Sequence, residues 1–390
     1  MSEFVEVTRR GLGGRSKDSI GGVFIGFILV AVGVILLFWN EGRAVKRYKD
    51  LKEGSGAVIS IDSASVDPAM EGRLVHITGE TKTPTPLKDD LFGITTSAIR
   101  LTRNAEMFQW VEVVKTEEKT KVGGGVEQVK TYSYRTEWKD QLVDSSTFKV
   151  TTDYRNPTEM KYRSNSSTAQ GVTVAAFKLP DFLVTRIGGA KPFLIEDLST
   201  ASEEVKRTAK LNQGGVYFGV NPNSPSVGDQ RVTFQVVANG PISVVAQQKG
   251  DTFASYRTAT GGQLDLLESG TVSAVDMFQM AQDRNKFLTW AIRIGGFILL
   301  GMAFSMILRP IAVLASILPF LGRLVETGTT LVAFLIAGIL WTLTVAVAWI
   351  FYRPLLGIAI LIVTVGLFIL VIKRLRKPAA LNPGSPPPLT

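Results

Sequence analysis

The 390-residue chain has no cysteine and a single histidine, His76. The first absence excludes disulfides, thiol nucleophiles and zinc sites that depend on cysteine. The second leaves His76 as the one base available to a Ser-His-Asp arrangement or to most histidine-dependent proton transfer. On strand spacing Arg73 and His76 point to opposite faces, so His76 reads as a hydrogen-bonded structural residue. No Gly-rich phosphate loop, metal-ligand cluster or pair of broken membrane helices is present. Glu112, Glu137 and Asp140 lie among Tyr, Trp and Lys in a pattern usual for cross-strand pairs on a solvated face. The sequence therefore assigns no catalytic, cofactor-binding or metal-ligating residue and no cofactor, and it reads as a non-enzyme.

A local excess of charge is also lacking over most of the chain. The whole protein carries 43 Lys and Arg against 34 Asp and Glu, a net of +9. Between Asn40 and Thr289 the counts are 31 basic and 30 acidic, a difference of only +1. The excess flanks apolar runs, which is a topology signal and not a nucleic-acid face.

What is present is lipid-compatible sequence, with 45% hydrophobic residues and a mean hydropathy of +0.19. Ile20 to Trp39 is uncharged and mostly apolar, and about 20 such residues cross a bilayer as a helix. No small-residue cleavage site follows Trp39, so the run reads as an uncleaved anchor. Further runs at 290–308, 328–350 and 355–372 bring the expected crossings to four. Arg293 lies just inside the second, where a buried guanidinium needs a carboxylate or a snorkelling route, and snorkelling to the interface is the expected solution. Ile311 to Leu321 is too short to cross and reads as interfacial or re-entrant. Gly22, Gly26 and Gly33 share one helix face and are the helix-packing candidates, facing either another subunit or a later span.

Basic residues on both sides of the first run give no orientation. The tail residues Lys373, Arg374, Arg376 and Lys377, with no acidic neighbour, place the C-terminus in the cytoplasm by the positive-inside rule. The expected organisation is a cytoplasmic segment 1–19, a first span 20–39 and an extracytoplasmic domain 40–289. A second span 290–308, a cytoplasmic or interfacial loop 309–327, spans 328–350 and 355–372, and a disordered cytoplasmic tail 373–390 follow. The fold class is an α+β membrane protein, with four transmembrane helices and a large strand-rich extracytoplasmic domain.

Within that domain the first helix is expected to continue through Asn40–Leu51. Arg73–Thr78 reads as a strand. Trp110–Lys121 and Val126–Asp140 read as a hairpin about Gly123-Gly124-Gly125. Arg231–Ala238 and Ile242–Gln248 read as a second hairpin about Asn239-Gly240-Pro241. Leu198–Leu211 reads as a helix, and Val172–Ile187 as a buried element or a flap on the bilayer. Short echoes, 71–77 with 229–234 and 106–109 with 276–279, suggest a duplication split near residues 165–190.

Gly21-Gly22-Val23-Phe24-Ile25-Gly26, Asn40-Glu41-Gly42-Arg43-Ala44, Glu71-Gly72-Arg73-Leu74-Val75-His76-Ile77, Tyr132-Ser133-Tyr134 with Thr136-Glu137-Trp138, and Phe351-Tyr352-Arg353-Pro354-Leu355 together resemble the LUMA, or transmembrane protein 43, family over nearly the entire chain. The resemblance implies four spans and a large lumenal domain, with no established enzymatic activity. In animals it implies the endoplasmic reticulum and inner nuclear membrane, self-association, and partners such as lamins and emerin. This chain departs in its lack of cysteine and its Pro-rich tail. In a bacterium the expected place is the inner membrane with a periplasmic domain. The expected function is a membrane scaffold that organises assemblies by self-association and through its extracytoplasmic domain. Expected partners are membrane lipids, further copies of the chain and other membrane proteins, without nucleic acid. The alternative is a transport or channel component.

Overall fold

The computed structural model describes residues 4–121, 125–315 and 319–354. The expected fourth span, 355–372, and the tail lie outside these, as does the glycine turn at 123–124. The chain forms two compact units. A strand-rich unit takes in residues Lys46–Phe287 together with Met1–Ile20 and Pro310–Glu326. A helical unit takes in Gly21–Val45, Leu288–Arg309 and residues from Thr327 onward.

Helix α1, Leu12–Ala57, is 46 residues long, about 69 Å at 1.5 Å per residue, so the first span does continue well past Trp39. Among the described residues, three helices are long and apolar enough to cross a membrane. The other two are α2, Ala274–Ala315, and α3, Pro319–Tyr352. The loop expected at 309–327 is largely helical. Helix α2 runs through Pro310 to Ala315 and α3 begins at Pro319. A proline inside a hydrophobic helix loses one backbone bond without ending the helix where neighbouring groups compensate. Residues 311–315 therefore extend α2, and 319–321 begin α3.

In the strand-rich unit, the principal strands are β1 Phe4–Arg10, β2 Leu74–Lys82, β3 Ala98–Thr120, β4 Val126–Lys139, β5 Gln230–Ala238 and β6 Pro241–Lys249. The expected first hairpin is present as β3–β4, in register from Met107↔Lys139 to Thr120↔Val126. The expected second hairpin is absent. Strand β5 pairs with β3 in an eight-stranded sheet, whereas β6 pairs with β2 in a seven-stranded sheet. Asn239-Gly240 carries the chain from one sheet to the other. Burial explains the split. Ile242 to Ala246 is buried at every position, whereas β5 alternates up to Phe234. A strand covered on both faces needs neighbours that a two-stranded amphipathic hairpin cannot supply.

Each sheet has its own core. Val75, Ile77, Val244 and Phe253 pack with Val172, Val174, Phe177, Leu183 and Ile187. The stretch 172–187 is therefore a buried element and not a flap. Phe92, Leu101, Val216, Val232 and Phe234 form the other core, with Arg103 held to Asp89 at 2.8–3.0 Å over its edge. A third cluster gathers Leu51, Leu74, Leu264, Met277 and Phe278. There Asp50, at the aqueous end of α1, accepts from Thr258 at 2.6 Å and from Thr260. The expected helix at 198–211 is reduced to Glu203–Thr208 under a Ser202 cap, followed by a strand at Ala209–Asn212. Residues 106–109 lie on a strand and 276–279 on a helix, so that echo is not a structural repeat.

One segment lies elsewhere than expected. The expected place of residues 1–19 is a separate cytoplasmic stretch, yet β1 pairs with β4 from Phe4↔Tyr132 to Arg10↔Val126. Val5-Glu6-Val7-Thr8 alternates in strand period, a pattern that charge counting overlooks. Glu6 accepts from Tyr132 at 3.0 Å and meets Lys149 at 3.1 Å.

His76 lies on β2 and is 7% exposed. Its Nε2 donates to the Val272 carbonyl at 3.0 Å, which leaves Nδ1 to accept from Ser60 Oγ at 3.1 Å. Burial pushes its pKa below the ordinary value, partly countered by the Val272 carbonyl. With the folded pKa depressed, the unfolded chain takes up the proton first as pH falls. The stability held by neutral His76 is complete above pH about 6.5 and declines below it. His76→Ala is expected to lower stability by about 1–3 kcal/mol and to flatten the loss of thermal midpoint as pH falls below about 6.5. Thermal unfolding of both proteins across that range checks it.

Candidate functional site: a buried charge pair between membrane helices

In the helical unit α1 and α2 run antiparallel. On α1 the inward positions are Gly26, Val30, Gly33, Leu37, Asn40 and Ala44, spaced four and three in alternation, as in a helix–helix seam. Opposite them on α2 lie Ile307, Leu300, Gly296, Arg293 and Thr289. A Cβ on Gly26 would lie 2.7 Å from Ile307 Cγ1 and 2.8 Å from the Ala303 carbonyl, and one on Gly33 would lie 2.9 Å from Leu300 Cδ2. The relation reverses at Gly296, where a Cβ would lie 2.6 Å from Leu37. Small residues on both helices let the backbones approach, which matters in lipid because there is little hydrophobic drive for helices to associate. A Cβ on Gly22 would meet nothing within 4 Å.

At the Asn40 end the seam turns polar. Glu41 is 1% exposed and Arg293 is 8% exposed. Arg293 Nε donates to Glu41 Oε1 at 2.7 Å and Nη2 donates to Oε2 at 2.8 Å, a bidentate pairing that suits both planar groups. Trp349 Nε1 of α3 donates to the same Oε2 at 2.9 Å, and Trp341 Nε1 donates to the Arg293 carbonyl at 2.9 Å. The guanidinium carbon lies 4.8 Å from the ring centre of Trp290 and 5.5 Å from that of Trp349. Asn40 Nδ2 donates to the Thr289 carbonyl at 3.1 Å, and Arg43 Nη2 donates to Asn40 Oδ1 and Thr289 Oγ1 at 3.2 Å each. Side chains from three helices thus converge on one carboxylate.

The expected snorkelling of Arg293 is therefore replaced by a buried ion pair. Its partner was hidden because Glu41 falls just outside the apolar run, where a span-by-span inspection stops. The signal was present: antiparallel helices bring residues at equal depth together, and Glu41 and Arg293 each lie two or three residues from an interfacial Trp, Trp39 and Trp290. Chemically the site is closed. Both carboxylate oxygens are occupied, and the surrounding N–H groups are donors only. Such a site fixes helix positions. Among the described residues there is no group of three or more His, Asp or Glu able to hold a metal. The other carboxylates singled out in the sequence stay apart from this site. Glu112 accepts from Tyr134 Oη at 2.7 Å, which with burial raises the tyrosine pKa to about 12. Glu137 bridges Arg135 and Lys139.

The seam predicts an asymmetry among the three glycines. Gly33→Leu is expected to force the α1–α2 seam apart at a cost of about 1–3 kcal/mol, whereas Gly22→Leu is expected to change little. Trp349→Phe, which removes one donor and keeps the ring, is expected to cost about 1–2 kcal/mol. Thermal midpoints of the detergent-solubilised variants check all three.

Comparison with known proteins sets the chain among transmembrane proteins. Residues 107–354 match the family profile described as transmembrane protein 43. Transmembrane protein 43 of Rattus norvegicus is 36% identical over 375 residues, covering 93% of this chain and 92% of the rat protein. The Homo sapiens protein is 34% identical over 376 residues, covering 94% and 92% respectively. The Drosophila melanogaster homolog is 29% identical over 349 residues, covering 86% and 90%. No solved structure matches the chain. An integral membrane chain with a strand-rich domain between its first two membrane helices, it belongs to the transmembrane protein 43 family, also called LUMA.

Proposed function

We propose that the protein is a non-enzymatic membrane scaffold that crosses the bilayer four times and self-associates, with its strand-rich domain extracytoplasmic and able to dock other membrane proteins. The observation that carries the docking role is the β3–β4 hairpin, whose register runs unbroken from Met107↔Lys139 to Thr120↔Val126. A strand edge of that length is a template for strand addition by a protein partner. The closed Glu41–Arg293 pair supports a structural role for the spans over a transport role, because a conduction path needs groups that exchange partners.

Crossing by α1 and pairing of β1 with β4 exclude one another within a single chain, because the first would place residues 1–19 across the bilayer from the hairpin. The proposal takes the crossing. Strand β1 exposes Phe4, Val5 and Val7, and its backbone bonds, about 1 kcal/mol each, are offset by ordering costs of about 1–2 kcal/mol per residue. Insertion of a 20-residue apolar helix is favoured by several tenths of a kcal/mol per large apolar residue, about 4–8 kcal/mol in all. Release of β1 leaves the Val126–Tyr132 edge of β4 open for a partner.

Light scattering on the detergent-solubilised full chain tests self-association. The expected protein mass is a multiple of 42.4 kDa, and a monomer at every concentration would remove the scaffold reading. Single cysteines at Thr8, Gly124 and Gly384, introduced into a chain that has none, test the crossings. In intact cells the expected result is that only Gly124→Cys reacts with an impermeant reagent. Reaction at Thr8 as well would restore the β1–β4 pairing and rule out the α1 crossing.

A further inference from the structure

We infer that the edge of β4 from Val126 to Tyr132 receives an extended, antiparallel segment of a partner protein that carries an aromatic side chain and, two residues further on, a carboxylate. The inference rests on the docking role and the α1 crossing proposed above and names the chemistry of the partner. Strand β1 shows what the edge accepts. Its residues pair with β4 without a break, and a strand added in this way takes its affinity from main-chain bonds and its selectivity from alternate side chains. One set of alternate positions is recognised. Phe4 meets the Tyr132 ring edge-on with centroids 5.9 Å apart, and Lys149 Nζ lies 5.6 Å from the Phe4 ring centre and 5.7 Å from that of Tyr132. Glu6 accepts from Tyr132 Oη at 3.0 Å and lies 3.1 Å from Lys149 Nζ. Lys149, and after it the Tyr132 hydroxyl, lower the Glu6 pKa, so the carboxylate is the form bound. The other set is left free: Val5 and Val7 are each 51% exposed. Arg9, with its side chain 83% exposed, approaches Glu127 at 3.4 Å, a contact worth little in water.

The receiving groups are positioned by the strand-rich unit itself. The Lys149 N–H donates to Glu112 Oε2 at 2.6 Å, Tyr134 Oη donates to the same oxygen at 2.7 Å, and the Val150 N–H donates to Tyr134 Oη at 2.9 Å. Tyr134 stacks on Tyr154 with centroids 3.9 Å apart, inside the cluster that also buries Tyr132. None of these contacts involves β1. Lys149 and Tyr132 therefore keep their places when β1 is withdrawn, and an incoming strand meets a site formed in advance, which lowers the ordering cost of binding. With α1 across the bilayer, the chain's own residues 4–10 lie on the far side from β4. Every copy inserted the same way carries them there too, so the occupant is a different protein on the side of the strand-rich domain.

A fluorescent peptide of the sequence Phe4–Arg10, titrated onto the full chain in lipid nanodiscs and read by anisotropy, tests the inference. The expected result is saturable binding that weakens about three- to tenfold when the peptide carries Glu6→Gln, the range for two bonds to a partly exposed carboxylate. On the Lys149→Ala chain, which keeps the backbone bonds around residue 149, the two peptides are expected to bind alike. Tyr132→Phe keeps the ring, removes the hydroxyl and is expected to narrow the difference. Thermal midpoints equal to that of the wild type check that both variants fold. A chain lacking residues 2–8, which keeps Arg9 and Arg10 before α1, is expected to bind the peptide as the intact chain does. Binding by the shortened chain alone would overturn the inference by giving the edge to the chain's own β1. Equal affinity of the two peptides for the wild-type chain would overturn the selectivity and leave strand addition standing. Failure of both chains to bind would remove the docking role itself.

Discussion

A single ion pair sets the terms for the membrane part of this protein. Glu41 and Arg293 are both buried, and a charge held near the hydrocarbon is costly unless it is paired and hydrogen-bonded. Here the pairing is bidentate, and Trp349 adds a third bond to the same carboxylate. Because one partner belongs to α1, the other to α2 and the third to α3, the cost is met only when all three helices take up their places. The small-residue seam at Gly26, Gly33 and Gly296 allows close approach at many rotations and registers. The charge pair selects one of them, because a shift by one residue would strand a carboxylate against Leu or Ile.

The same logic separates the two kinds of packing in the chain. In the strand-rich unit, large apolar side chains such as Phe92, Phe177 and Phe234 are removed from water, and the hydrophobic effect supplies most of the stabilisation. Polar contacts there, His76 with Ser60 and Val272 or Asp50 with Thr258, satisfy groups that burial has cut off from water. In the helical unit lipid is as apolar as leucine, so contact at glycines and hydrogen bonds to charged groups carry a larger share.

Much of this was legible in the sequence, and the parts that were not have identifiable causes. Local periodicity shows the β3–β4 hairpin, the strand around His76 and three of the membrane helices, since each depends on its own residues. The β5–β6 pair was misread because a Gly-Pro turn looks the same whether it closes a hairpin or carries the chain between sheets, and only the burial of both faces of Ile242–Ala246 decides. Strand β1 was missed because its alternation is short and stands before a stronger charge signal. Glu41 is invisible within any single apolar run, because the pair exists only between runs 252 residues apart in sequence. Gly22, Gly26 and Gly33 share a helix face, yet Gly22 lies beyond the reach of α2, which no spacing rule reveals.

A double-mutant cycle on Glu41→Ala and Arg293→Ala, read as thermal and denaturant stability of the detergent-solubilised full chain, tests the central claim most directly. If the pair positions the three helices, each single change strands a buried charge, and the double variant loses far less than the sum of the two, with a coupling of about 2–3 kcal/mol. Losses that add to within about 0.5 kcal/mol would show two independent residues and contradict the account.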